Sequence, residues 1–143
     1  MLTIEQQAVH LQKVSRTFAL TIPLLPMPLA DWVGNAYLLC RIVDTIEDDA
    51  DLSIDLKQKH ILSYQAALAG EIDSVAWSHE LHASLSVATS EGERSLIADI
   101  PAVLARLTSF PDSVRTILIR GVGIMSQGMA AQQECAVITQ AAD

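Results

Sequence analysis

The sequence has few aromatic residues, few cysteines and little positive charge. Aromatic residues make up only 4% of the 143 residues although 50% are hydrophobic, so aliphatic side chains have to build the core. The formal net charge of −8 argues against a nucleic-acid partner, which would require a basic face. Cys40 and Cys135 lack the spacing of metal ligands, and two isolated cysteines favour a reduced, cytoplasmic setting.

The chain also lacks a membrane span, a secretory signal and the usual nucleotide or hydrolase motifs. No run of about 18 apolar residues occurs, and the polar residues Glu5 to Gln7 interrupt the N-terminus too early for a signal peptide. The pair Gly121 and Gly123 lies inside a predicted helix, which is the wrong context for dinucleotide binding. Ser15 has no obvious histidine and aspartate partners, so a hydrolase triad is not supported.

Apolar residues recur at helical spacing, and no convincing period-two alternation is present, which predicts an all-α protein. We expect one domain over residues 1–143, with six or seven helices packed as a bundle. Pro23 to Pro28 should form a connection, and a central helix should begin near Pro28 or Leu29. The predicted N-caps are Thr3, Ser53, Ser74 and Ser90, and Ser90 with Glu93 should form a capping box. Gly70 should end a helix, Pro101 should break or kink one, and the last helix should begin near Pro111. Asp55 and Lys59 should form an exposed pair four residues apart.

The predicted central helix carries a narrow polar stripe inside apolar sequence. At 100° per residue, three side chains lie within about 60° of Asp44 on one side: Tyr37, Arg41 and Asp48. Glu47 lies about 60° to the other side. Leucine, isoleucine and valine occupy most of the remaining circumference. A surface helix has the reverse pattern, so the sequence indicates a buried helix with a polar site on one face.

Two carboxylates one turn apart, Asp44 and Asp48, suit a Mg²⁺–diphosphate site. Mg²⁺ prefers oxygen ligands and is usually held by one or two carboxylates together with substrate phosphates. Arg41 could contact phosphate oxygens through its fork of donors. The alternatives are a solvated acidic surface and a core arginine paired with Asp44 or Asp48, and the residues alone leave both open. A second candidate metal pair, His79 and His82, is more typical of an exposed helix face.

Two motifs resemble the squalene/phytoene synthase family. They are Ser15-Arg-Thr-Phe18 and Asn35-Ala-Tyr-Leu-Leu-Cys-Arg-Ile-Val-Asp-Thr-Ile-Glu-Asp-Asp49. Asp99-Ile-Pro101 and the segment from Gly121 to Ala130 are similar to a later helix of that family. The resemblance implies a helical-bundle isoprenoid synthase fold. It also implies head-to-head condensation of two allylic prenyl diphosphates. Farnesyl diphosphate, giving presqualene diphosphate and squalene, is the first expectation, and geranylgeranyl diphosphate, giving phytoene, is the second.

The resemblance assigns roles to individual residues. The implied catalytic residues are Tyr37, Arg41, Asp44 and Asp48. The implied Mg²⁺ ligands, in the first Asp-rich motif, are Asp44, Glu47 and Asp48. The implied substrate-binding residues are Ser15, Arg16, Phe18, Tyr37, Arg41, Met125, Gly128 and Met129, with Gly121 also lining the prenyl tunnel. NADPH would be a second cofactor in a squalene synthase.

The family has a second Asp-rich motif that is absent from this sequence. We therefore expect the chain to be the N-terminal half of such a domain, without full catalysis by itself, and with a face open to solvent or to another copy of the chain. The competing hypothesis is a non-catalytic helical module that binds a partner or a prenyl lipid without turnover. Because the substrate and product are apolar, a cytoplasmic protein with peripheral membrane contact is expected.

Overall fold

The computed structural model describes the backbone of residues 1–142 and the side chains of residues 1–128. Over this range the chain is helical and contains no strand, which confirms the all-α prediction. Eight α-helices and one 3-10 helix (Ile22–Leu24) follow one another. The α-helices are α1 (Ile4–Val14), α2 (Arg16–Thr21), α3 (Leu29–Asp48), α4 (Ile54–Leu68), α5 (Ser74–Ser84), α6 (Glu91–Ala98), α7 (Ile100–Thr108) and α8 (Asp112–Ala142).

Helix α3 is the central element. It contacts α1, α4, α6, α7 and α8. The side chains on its inner side are 0% exposed: Leu38, Leu39, Ile42, Val43 and Ile46. The buried Tyr64 hydroxyl of α4 donates a hydrogen bond to the Leu39 carbonyl at 2.9 Å. The start and end of α3 agree with the prediction, because Pro28 precedes its first turn and the acidic run ends it.

Local signals predicted most helix ends, and three of the predicted details were wrong. The described chain has eight α-helices rather than six or seven. One reason is that Ser15 adopts an extended conformation with φ −159°, which separates α1 from α2. Asp73, not Ser74, caps α5 through a hydrogen bond from the Val75 N–H. The exposed pair predicted between Asp55 and Lys59 is replaced by a contact of Lys59 Nζ with Glu80 on α5 at 3.2 Å. The packing of α5 against α4 brings the Glu80 carboxylate within reach of Lys59.

A buried ion pair joins the start of α3 to α7. Arg106 Nε and Nη2 each donate to the Asp31 carboxylate at 2.7 Å. Arg106 Nη1 donates to the carbonyl of Leu2, also at 2.7 Å. Gln7 Nε2 adds a hydrogen bond to the backbone oxygen of Asp31 at 3.1 Å. This bidentate geometry is the favourable form of a buried arginine–carboxylate pair. Together with the bonds to Leu2 and Gln7, it orients α3 relative to α1 and α7.

Gly92 allows the first turn of α6 to lie directly against the end of α1. A Cβ atom built on Gly92 would lie 2.7 Å from the Lys13 carbonyl oxygen and 3.0 Å from its carbonyl carbon. The obstacle is backbone rather than the end of a flexible side chain, so α6 or α1 would have to move to accept a larger residue.

We expect Gly92→Ala to lower the free energy of unfolding by about 1–3 kcal/mol, the usual range for overpacking. Urea unfolding followed by circular dichroism measures this. The matched control is Gly123→Ala, since a Cβ atom there meets no described atom within 4 Å and alanine favours a helix. An unchanged midpoint for Gly92→Ala would contradict the close packing of α6 on α1.

Candidate active site

The polar stripe of α3 lies on the side of the helix that the other helices leave partly open. Tyr37, Arg41 and Asp44 are half-buried and Asp48 is exposed, whereas the opposite side of α3 is completely buried. The four side chains point in similar directions because they recur at three-residue, four-residue and seven-residue separations. The helix therefore presents a phenol, a guanidinium and two carboxylates to the same accessible strip.

Folding brings Phe18 of α2 onto this strip. Its ring lies 4.7 Å from the ring of Tyr37, measured between centroids, with an angle of 39° between the planes. Ser15 is placed differently: its hydroxyl caps α2 by accepting a hydrogen bond from the Phe18 N–H at 3.3 Å. Arg16 is exposed and makes no ion pair with any described side chain. Of the three predicted residues in this segment, Phe18 is thus the one whose ring packs on a residue of the α3 strip.

Arg41 has a partner that was not predicted from the sequence. Its Nη2 donates to Glu93 Oε1 on α6 at 3.2 Å, so the alternative of a core arginine paired with Asp44 or Asp48 was wrong. Glu93 also accepts a hydrogen bond from the Ser90 hydroxyl at 3.2 Å. The sequence suggested Glu93 only as the end of a capping box, and nothing in that local pattern indicated which other helix it would meet.

The two stripe carboxylates repel each other. Burial raises the pKa of Asp44, the negative charge of Asp48 raises it further, Arg41 lowers it and Glu93 raises it. No hydrogen bond to the carboxylate of Asp44 or Asp48 is present among the described side chains. Both groups therefore retain lone pairs for a ligand, and a cation between them would offset their repulsion.

These two residues fit a Mg²⁺ ion, although they do not make a complete protein cage. Within residues 1–128, no group of three histidine, cysteine or acidic side chains converges as a metal site, and neither Glu47 nor the pair His79 and His82 adds to one. Mg²⁺ commonly uses only one or two carboxylates, with phosphate oxygens and water completing its shell. The open position of Asp44 and Asp48 suits that mode of binding.

Asp49, the last acid of the same motif, has a structural role. Its carboxylate is buried and accepts hydrogen bonds from the N–H groups of Asp51, Leu52 and Ser86, at 2.8–2.9 Å, and from the Thr89 hydroxyl at 3.3 Å. Burial alone would raise the pKa of Asp49, but these donors lower it overall. Asp49 thus joins the end of α3 to the loop before α6.

An apolar groove lies near the start of α3. It has a volume of about 300 Å³ and runs between α3 and α8. Its walls include Leu29, Val33 and Ala36 from α3, and Ile117 and Leu118 from α8. Val33 lies within about 20° of Asp44 around the helix and about 17 Å before it along the axis. Leu29 and Ala36 lie about 60° and 80° from Asp44, on the side away from Arg41. Val33 is therefore the wall of the groove that lies on the same side of α3 as the carboxylates.

The predicted tunnel residues of α8 occupy different environments. Met125 is half-buried and packs against the core. Gly121 and Gly128 are exposed, and a Cβ atom at either position would meet no described atom within 4 Å. No described helix therefore packs closely against these two glycines. The side chain of Met129 lies outside the described residues.

The sequence of the chain matches that of a known protein family. The family model for squalene/phytoene synthases matches residues 11–142. A squalene synthase of Solanum lycopersicum is 48% identical over 54 residues, which are 38% of this chain and 13% of that protein. For a squalene synthase of Nicotiana benthamiana the identity is 46% over 54 residues, with the same coverage of both proteins. These matched segments are short relative to the relatives' own lengths.

The fold comparison extends over most of the chain. The structure of TcSQS in complex with a ligand, E5700, superimposes with a TM-score of 0.75 at 23% identity, covering 90% of this chain and 35% of TcSQS. The chain thus spans about a third of that protein. No described helix is both long and apolar enough to cross a membrane. Because the family model matches nearly every residue and the helical fold is shared, the chain belongs to the squalene/phytoene synthase family.

Proposed function

We propose that this chain supplies the first diphosphate-binding site of a head-to-head prenyl synthase. Farnesyl diphosphate, converted to presqualene diphosphate and squalene, is the preferred substrate, and geranylgeranyl diphosphate, converted to phytoene, is the second choice. The observation that carries the proposal is the accessible polar strip of α3, together with Val33, which borders the apolar groove and lies within about 20° of Asp44 around the helix. Such a ligand has the same division, with a long apolar chain ending in a strongly anionic head.

Each residue of the strip has a role that follows from its chemistry. Asp44 and Asp48, with Glu47 nearby, would hold Mg²⁺, which neutralises diphosphate charge and stabilises its departure. Arg41 would donate hydrogen bonds to the diphosphate. Tyr37 and Phe18, which are stacked at an angle, would shield the first carbons of the prenyl chain from water. Exclusion of water protects a reactive allylic carbon from hydrolysis.

The remaining expected residues would act at the two ends of the ligand. Ser15 and Arg16 would approach the diphosphate, and the exposed Arg16 side chain has freedom to do so. Met125, Gly128 and Met129 would border the prenyl chain, where glycines permit close contact with the helix backbone.

We further propose a cytoplasmic enzyme working beside membranes, because its substrates and products are apolar. NADPH use would follow only if squalene is the product.

Isothermal titration calorimetry of the chain with farnesyl diphosphate tests this function. Binding should require Mg²⁺ and should disappear when a chelator removes the metal. Inorganic diphosphate is the control that lacks a prenyl chain, and it should bind more weakly because the groove stays empty. Equal binding of farnesyl diphosphate with and without Mg²⁺ would refute the proposed diphosphate site.

One observation favours a second candidate, a lipid-binding or partner-binding module without turnover. Ile117 and Ile124 of α8 are 68% and 64% exposed, beside the open glycine positions. A metal-independent site for a prenyl lipid would use this apolar surface alone. Self-association through the same face is also a prediction, and sedimentation velocity over a range of concentrations would detect it.

A further inference from the structure

The side chain of Arg41 is held by a neighbouring helix rather than by the acids of its own helix. Asp44 follows it by three residues, a separation at which opposite charges on a helix commonly pair. In the part of the chain with described side chains, the only hydrogen bond of the guanidinium instead goes to Glu93 on α6. Arg41 Nε is buried and has no acceptor there. The position of the guanidinium in this structure therefore depends on Glu93.

Glu93 is itself well supported. Its N–H donates to the hydroxyl of Ser90, the N-cap of α6, and that hydroxyl donates back to Glu93 Oε1, each at 3.2 Å. The same helix turn is pressed against α1 at Gly92. Glu93 also lines a polar cleft of about 210 Å³ together with Asp48. A carboxylate on a rigid turn is thus placed beside the acidic end of α3.

We propose that Glu93 is a positioning residue for Arg41, and this inference rests on the proposed function. Glu93 draws Nη2 away from Asp44 and Asp48, which leaves both carboxylates unpaired for a cation. It also restricts the guanidinium to one side of the strip, so less conformational freedom is lost when a diphosphate binds. Glu93 contacts neither ligand nor metal in this role and acts through the arginine.

A double-mutant cycle on the whole chain tests the proposal, with calorimetry of farnesyl diphosphate in Mg²⁺ as the readout. We expect Glu93→Ala to weaken binding about tenfold, the size of one charge-assisted hydrogen bond. Glu93→Gln should retain most of the affinity, because its amide oxygen still accepts from the guanidinium. In an Arg41→Gln background, Glu93→Ala should change affinity by less than about twofold, since residues acting through each other are not additive.

The matched control is Glu91→Ala, which removes the same charge from the same turn at an exposed position and should change affinity by less than about twofold. Equal weakening by Glu93→Ala in both backgrounds would overturn the proposal, because Glu93 would then act independently of Arg41. Tighter binding by Glu93→Ala would also overturn it, since Glu93 would be competing with the ligand. Absence of Mg²⁺-dependent binding by the unmodified chain would instead refute the proposed function, and this inference with it.

Discussion

Replacing Asp44 or Asp48 with alanine is expected to remove Mg²⁺-dependent binding of farnesyl diphosphate without unfolding the protein. Loss of a residue that merely supports a metal ligand typically weakens metal binding by about 10–100-fold, so loss of a direct ligand should weaken it by about 100-fold or more. Asp44 and Asp48 accept no hydrogen bond from the described side chains, so their removal leaves no described hydrogen-bond donor without an acceptor. Calorimetry with the metal and the ligand measures the loss.

Stability separates a ligand role from a structural role at these positions. Removing Asp48, which is exposed, should change the free energy of unfolding by no more than about 0.5 kcal/mol. Burial and then repulsion by Asp48 raise the pKa of Asp44. Removing its carboxylate should relieve both effects, so stability should stay the same or rise, as at other functional sites. Asp51→Ala, an exposed acid just after the motif, is the control for net charge. Undiminished binding by the Asp44 and Asp48 variants would remove the basis for a metal site on α3.

Asp49→Ala is expected to have the opposite effect, with a large loss of stability. Three backbone N–H groups and one hydroxyl donate to its buried carboxylate. Unsatisfied buried donors cost about 1–3 kcal/mol each, and partial access of water should reduce the sum. We expect the free energy of unfolding to fall by about 3 kcal/mol or more, measured by urea unfolding.

Asp48→Ala is the matched comparison for Asp49→Ala, because the two residues are adjacent and carry the same charge. Asp49→Asn provides a second test, since it keeps one acceptor oxygen and should lose less stability than the alanine variant. A loss below about 1 kcal/mol for Asp49→Ala would mean that the loop before α6 is not held by this carboxylate. Reduced ligand binding in a stably folded Asp49→Ala protein would likewise contradict a purely structural role.

The contrast between these adjacent acids shows why the site could be only partly predicted. Helical periodicity placed Asp44 and Asp48 on one side of α3, because the angle between residues within a helix is constant. Nothing local indicated that Asp49 would be buried and Asp48 exposed. That distinction depends on the loop containing Ser86 and Thr89, which is distant in sequence and approaches only one of the two carboxylates.

The contacts of Glu93 and Gly92 could not be predicted from their neighbours in sequence either. Their sequence indicated a helix start, and Ser90 does cap α6. The partner of each residue, Arg41 in one case and the Lys13 backbone in the other, follows from how α6 packs against α3 and α1. The alternative of an ion pair between Arg41 and Asp44 or Asp48 considered only neighbours within the same helix.

The sequence by itself determined the all-α class, the extent of α3, most helix caps and the polar stripe on one side of α3. These features depend on interactions within a few residues, including proline geometry, capping and the 3.6-residue repeat. Only the tertiary structure decided that Phe18 meets Tyr37, that Glu93 holds Arg41 and that Asp49 is buried. Such contacts join segments far apart in the chain, and their geometry is set by the packing of aliphatic side chains between helices.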